Sequence, residues 1–198
     1  MEQFLIFKVN DASKLNTVCI GIDKKIGSNQ IIVPLTKEVK VVNTSIKDAI
    51  SGIIDIILPS EKDDINLDLD DLKTVVNHKG VSVMSIGKYE GEAAAYEAVK
   101  QSIDHMLLQH ITLSKAKGAL INFYLHSDYP TQEIENAIDM IYNSMHEDAD
   151  IIFGTTIANS FSKRYVQATV ILSGFEIFED EIFQFTNLIL RKNNESIC

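Results

Sequence analysis

Val81-Ser82-Val83-Met84-Ser85-Ile86-Gly87 is followed, after Gly91-Glu92, by Ala93-Ala94-Ala95-Tyr96-Glu97-Ala98-Val99, and the change of period between these runs decides the fold. In the first run Val81, Val83 and Ser85 fall on one side and Ser82, Met84 and Ile86 on the other, the two-residue period of a strand. Gly87 to Gly91 reads as a turn. From Glu92 onward the chain is rich in Ala and Glu, both good helix formers, and apolar positions continue to Ile103, Met106 and Leu107. The spacing predicts a helix of about twenty residues.

The same alternation of periods extends outward. Downstream, Gly118–Leu125 reads as a strand. Pro130-Thr131 opens a helix with Ile134, Ile138, Ile141 and Met145 on its apolar face, and Asp150–Gly154 and Tyr165–Ser173 read as further strands. Upstream, Ile46, Ile50, Ile53, Ile54 and Ile57 recur at helical spacing within a helix over Ser45–Leu58. Ser45-Ile46-Lys47-Asp48 has capping-box spacing at its start and Pro59 stands at its end. Leu67–Leu72 opens a short second helix with acids in its first turn, where the dipole favours them. The order predicts an α/β (α+β) architecture, a sheet carrying long helices on one face. Phe4–Val9, Thr17–Ile22, Gln30–Val33 and Val39–Val42 add short β elements between turn-type clusters. In the tail, Phe178, Ile182, Phe185 and Ile189 predict an amphipathic helix within Phe175–Lys192, followed by a frayed end. The chain divides into a β-rich segment (1–43), a helix and loop (44–64), the main domain (65–175) and the tail (176–198).

Composition narrows the function. The chain has 198 residues and a net charge of −10. That balance argues against nucleic acid and against anionic membranes, both of which need clustered Lys and Arg. No apolar run is long enough to span a bilayer, and Met1-Glu2-Gln3-Phe4 has no basic lead-in to an apolar stretch, so a cytoplasmic protein without membrane insertion is expected. Cys19, within an apolar run, and Cys198 do not form a disulfide framework.

The candidate chemistry is sparse. The nine glycines form neither G-x-x-x-x-G-K-[ST] nor G-x-G-x-x-G, so no loop presents several backbone N–H groups to a phosphate. His78, His105, His110, His126 and His146 are scattered without metal-ligand spacing. The acidic run Asp63-Asp64-Ile65-Asn66-Leu67-Asp68-Leu69-Asp70-Asp71 remains. Asp68 and Asp71 are three apart, which puts both carboxylates on one helical face. They are either a helix cap on a solvated surface, with Asn66 or Asp68 as the cap, or a carboxylate pair that orients a water or holds a cation.

Asn66-Leu67-Asp68-Leu69-Asp70-Asp71 fits the N-x-D-x-x-D pattern of the synergy loop of FtsZ, the bacterial tubulin-like division GTPase. The surroundings resemble the family in register. Ser45–Leu58 is similar to its long central helix. Gly80–Gly87 with Gly91-Glu92 resembles its G-x-A-x-M-G-x-G-x-x-x-G stretch. Leu107-Leu108 with Ile111–Asn122 resembles the following "LL…I-x-L-x-G-A-K-G-x-L-V-N" segment, and Asp150–Thr155 and Val166–Phe175 resemble the last two strands. Ser85 departs from the pattern by replacing a usual Gly. Thr17–Asp23 and Gln30–Leu35 resemble at most the last strands of the family's nucleotide domain.

The resemblance implies a site shared between subunits, in which one binds GTP and the next inserts its synergy loop against the γ-phosphate. By position, Asn66 would shape the loop, and Asp68 and Asp71 would be the acids acting on a neighbour's nucleotide. The chain would hold no cofactor of its own, the GTP being bound by a partner subunit. Its partner would be a full-length FtsZ or another copy of itself. Alone it is not expected to be an enzyme, although it could complete a GTPase site in trans. The alternative is a homo-oligomeric interaction module diverged from FtsZ, with the Phe-rich tail as contact surface.

Overall fold

The computed structural model describes residues 3–9, 17–26, 29–31, 37–41, 46–57, 65–106 and 112–175. The elements run β1 (Gln3–Val9), β2 (Thr17–Ile26), β3 (Asn29–Ile31), β4 (Lys37–Val41), α1 (Ile46–Ile57), α2 (Leu69–Val76), β5 (Val81–Glu90), α3 (Ala94–Met106), a 3-10 turn (Leu113–Lys115), β6 (Gly118–Leu125), α4 (Thr131–Tyr142), β7 (Asp150–Ile157) and β8 (Tyr165–Phe175). The strands form one mixed sheet in the order β1-β2-β4-β5-β8-β6-β7, with β3 paired to β2. Its centre is antiparallel, β5 with β8 and β8 with β6, while β4 lies parallel to β5 and β7 parallel to β6. The amino-terminal strands thus extend the main domain's sheet at β5, Val39 opposite Ser82 and Val41 opposite Met84.

The two-residue period of the strands sorts their side chains into two cores. One packs Val83, the odd positions Ala119 to Leu125 of β6 and the even positions Val166 to Leu172 of β8 against α3 and α4. The other packs Met84, Ile86, Leu120 and Ile171 against Ala49, Ile53 and Ile56 of α1 and Leu72, Val75 and Val76 of α2. Helices α3 and α4 share one face, as expected from their apolar stripes. The opposite face is covered by α1 and α2, so the sheet is sandwiched between two helical layers.

Several expected boundaries move. Gly87–Glu90 is not a turn but the second half of β5, paired with β8 from Gly87 opposite Ala168 to Glu90 opposite Tyr165. The glycine serves a close approach instead: a Cβ on Gly87 would lie 1.9 Å from the Ala98 carbonyl oxygen, so the α3 backbone rests directly on the strand. Helix α3 begins at Ala94, where Ala94, Ala95 and Ala98 are fully buried and leave room for that contact. Its expected continuation past Met106 lies outside the described residues, as do the cap at Ser45 and the tail helix after Phe175. Strand β7 continues three residues beyond Gly154, to Ile157. Met145 is buried as expected, although α4 ends at Tyr142.

Ser85 and Ser102 are fully buried in the same layer, and neither hydroxyl has a hydrogen-bond partner among the described residues. An unsatisfied buried hydroxyl costs about 1–3 kcal/mol of desolvation. Ser85→Ala is therefore expected to stabilise the protein by about 1 kcal/mol, seen in a thermal melt as a Tm higher by roughly 2–4 °C. A lower Tm would show that the hydroxyl has a role in the folded state.

Candidate functional site

The described part of the acidic run, from Ile65 to Asp71, lies where the chain enters α2, while Asp63 and Asp64 lie outside the described residues. Asp68 is the residue before the helix and is extended, with φ −133° and ψ −179°. Its Oδ1 accepts the backbone N–H groups of Asp70 at 2.7 Å and Asp71 at 2.9 Å. In return, Asp71 Oδ2 accepts the N–H of Asp68 at 2.9 Å. This is a reciprocal capping box built from two aspartates. Composition left a cap and a reactive pair as alternatives. The structure shows that Asp68 caps the helix and that Asp71 caps Asp68.

Each carboxylate uses one oxygen in the box. Asp68 Oδ2 and Asp71 Oδ1 have no hydrogen-bond partner among the described residues. Asp68 is exposed and Asp71 half-buried. The third acid, Asp70, pairs with Lys73 Nζ at 2.6 Å, while neither Asp68 nor Asp71 has an ion-pair partner among the described residues. The box therefore places two carboxyl groups at the amino-terminal end of a helix, where the backbone N–H groups point toward them. Asn66 is exposed, two residues before the cap.

The segment leading into the cap is held by β7. Thr155 N–H donates to the Ile65 carbonyl at 3.0 Å, and Ile65 N–H donates to Thr155 Oγ1 at 2.9 Å. Leu67 is buried in the core beneath α2. A Cβ on Gly154 would lie 2.5 Å from both the Ile65 carbonyl oxygen and Leu67 Cγ, so the loop seats directly on the strand. At the other end of α2, Ser173 Oγ donates to the Val75 carbonyl, and His78 Nε2 lies 2.9 Å from Asp150 Oδ2. The helix is thus tied at both ends to the sheet, through β7 at its start and through β8 and β7 at its end, with Asn66, Asp68 and Asp71 clustered at its start.

Sequence reasoning found the three polar residues but missed Ile65, Gly154 and Thr155, which seat them. Gly154, a glycine within a strand, was a readable hint of close backbone approach. The Ile65–Thr155 contact spans 90 residues and leaves no local pattern. Among the described residues, no three His, Cys, Asp or Glu side chains gather to hold a metal ion, and no helix is long and apolar enough to cross a membrane. A shallow depression of about 290 Å³ beside Tyr89, Glu97, Lys100, Gln101 and Asp104 opens on α3, the layer opposite the acids.

The mixed sheet with its helical layers matches the carboxy-terminal-domain fold of FtsZ and the tubulins. Residues 80–176 match the family model for the FtsZ family, C-terminal domain. The cell division protein FtsZ of two Helicobacter pylori strains is 35% identical over 128 residues, which is 65% of this chain and 33% of each relative. Among solved structures, an empty FtsZ dimer from M. jannaschii superposes with a TM-score of 0.56 at 27% identity, covering 65% of this chain and 36% of that one. A mutant FtsZ from M. jannaschii gives 0.55 at 27% identity, covering 65% and 38%. This chain is similar to FtsZ in sequence and fold over these residues, and it spans about a third of the length of the curated relatives it matches.

Three substitutions at two positions test this geometry. Gly154→Ala must push Ile65 and Leu67 off β7 and is expected to lower stability by about 1–3 kcal/mol, the usual cost of overpacking. Asp68→Ala should cost about 0.5–2 kcal/mol, whereas Asp68→Asn, an equally good cap, should cost little. Denaturant melts of the three variants measure both effects, and equal stability for Asp68→Ala and Asp68→Asn would contradict the capping box.

Proposed function

We propose that this chain acts in the cytoplasm as an FtsZ-like assembly partner, presenting Asn66, Asp68 and Asp71 to the nucleotide of a neighbouring full-length FtsZ subunit. The observation that carries this reading is the double use of the two carboxylates. One oxygen of each is fixed in the capping box, and the other is left for an external group. A carboxylate held in this way can accept a hydrogen bond from a water and keep it in line with a phosphoryl group, and pre-set orientation supplies much of the catalysis in phosphoryl transfer. Asn66 shapes the approach to the cap. The GTP belongs to the partner, so the chain completes a GTPase site in trans, with cell division as the setting. It stimulates hydrolysis at one filament end or caps that end.

The test adds this protein to a full-length FtsZ and follows GTP-dependent pelleting and phosphate release. The reading expects a change in either quantity at substoichiometric protein, with the chain found in the pellet. Asp68→Asn separates charge from capping, because it keeps the acceptor for Asp70 and Asp71 N–H and removes the negative charge. It is expected to fold normally and to lose most of the effect on phosphate release. No change at equimolar protein, with none of the chain in the pellet, would contradict the reading. A full effect from Asp68→Asn would confine the carboxylate of Asp68 to a structural role.

A further inference from the structure

We infer that Thr155, on β7, is the positioning residue for the acidic loop, holding it through its side-chain hydroxyl. The inference rests on the reading of Asp68 and Asp71 as presented acids. The backbone pattern of β7 locates the contact. Asp150 N–H donates to the Lys117 carbonyl and Ala158 N–H to the Leu125 carbonyl, both toward β6. Strand alternation then turns the N–H of odd residues away from β6, and Thr155 N–H does donate outward, to Ile65. The loop therefore docks on the open edge of the sheet at Thr155.

The N–H of Thr155 is common to any residue but proline. The second bond is not. Ile65 N–H ends on Thr155 Oγ1 at 2.9 Å, and only a residue with a short acceptor on Cβ can receive it there. Together the two bonds clamp both polar groups of Ile65 and fix the direction in which the chain leaves toward Asn66 and Asp68. Thr155 is 6% exposed, so its side chain is itself held by packing. Gly154 beside it removes the Cβ that would lift the loop. The sheet edge thus sets where the loop starts, and the capping box sets how it enters α2. Reactions of this kind are sensitive to placement, since an error of about 1 Å can cost a hundredfold in rate.

Thr155→Val and Thr155→Ser distinguish the hydroxyl from side-chain bulk. The first readout is amide hydrogen exchange of the chain alone. Thr155→Val is expected to speed exchange at Ile65, Asp68, Asp70 and Asp71 by about tenfold or more without changing that of the β6 amides, and Thr155→Ser to restore it. The second readout is phosphate release by a full-length FtsZ across a concentration series of the chain. There Thr155→Val is expected to lower the maximal effect by about tenfold to a hundredfold, and Thr155→Ser to recover it. Unchanged exchange with Thr155→Val, or a Thr155→Ser variant that behaves like Thr155→Val, would overturn the assignment. A wild-type chain without effect on phosphate release, in the presence of the expected exchange changes, would refute the in-trans reading and support Thr155 as the hold on the loop.

Discussion

The exchange of hydrogen bonds between Asp68 and Asp71 is the constraint on which the site depends. A helix starts with backbone N–H groups that have no partner within it. In a helix as short as α2, eight residues over Leu69–Val76, those groups are a large share of its hydrogen bonding. Asp68 takes two of them and Asp71 returns a bond to the Asp68 backbone. A helix of this length is unstable alone. It persists because it is capped at one end, tied through Ser173 and His78 at the other, and buries Leu72, Val75 and Val76 against the sheet. The same capping bonds fix the carboxylates in space. The pair of side chains that caps the helix is thus the pair proposed to face a neighbour's nucleotide, and a pair that only capped would use the same two oxygens.

Much of the architecture was legible in the sequence because it rests on period. The strand-to-helix change across Val81–Val99, the apolar stripe of α4 and the strands β6 and β8 all follow from the spacing of their apolar residues. The errors have a common physical origin. Gly87 looked like a turn because glycine favours turns. Here it admits the Ala98 carbonyl, a contact made by an element that follows it in the chain. Strand β7 looked shorter because Gly154 interrupts its apolar run, although that glycine makes space for Ile65 and Leu67. In both places a tertiary contact, rather than local conformation, demanded the small residue.

The site was legible in part for the same reason. Asp68 and Asp71 stand three apart, and that spacing pointed both to a cap and to a shared face. The reciprocity of their bonds depends on the extended backbone at Asp68, which spacing alone does not reveal. Thr155 carries no sequence signal at all. A threonine in a strand is ordinary, and its partner Ile65 lies 90 residues away. Residues that carry charge can be found from sequence, while residues that place the charge become visible only when the sheet edge and the loop are brought together.

The most direct measurement is a double-mutant cycle on stability, comparing Asp68→Ala, Asp71→Ala and the double variant in denaturant melts. If the two aspartates form one capping unit, their effects are non-additive, with a coupling of about 0.5 kcal/mol or more. Strict additivity would mean that the two carboxylates act independently, and the account of a rigid, presented pair would fail.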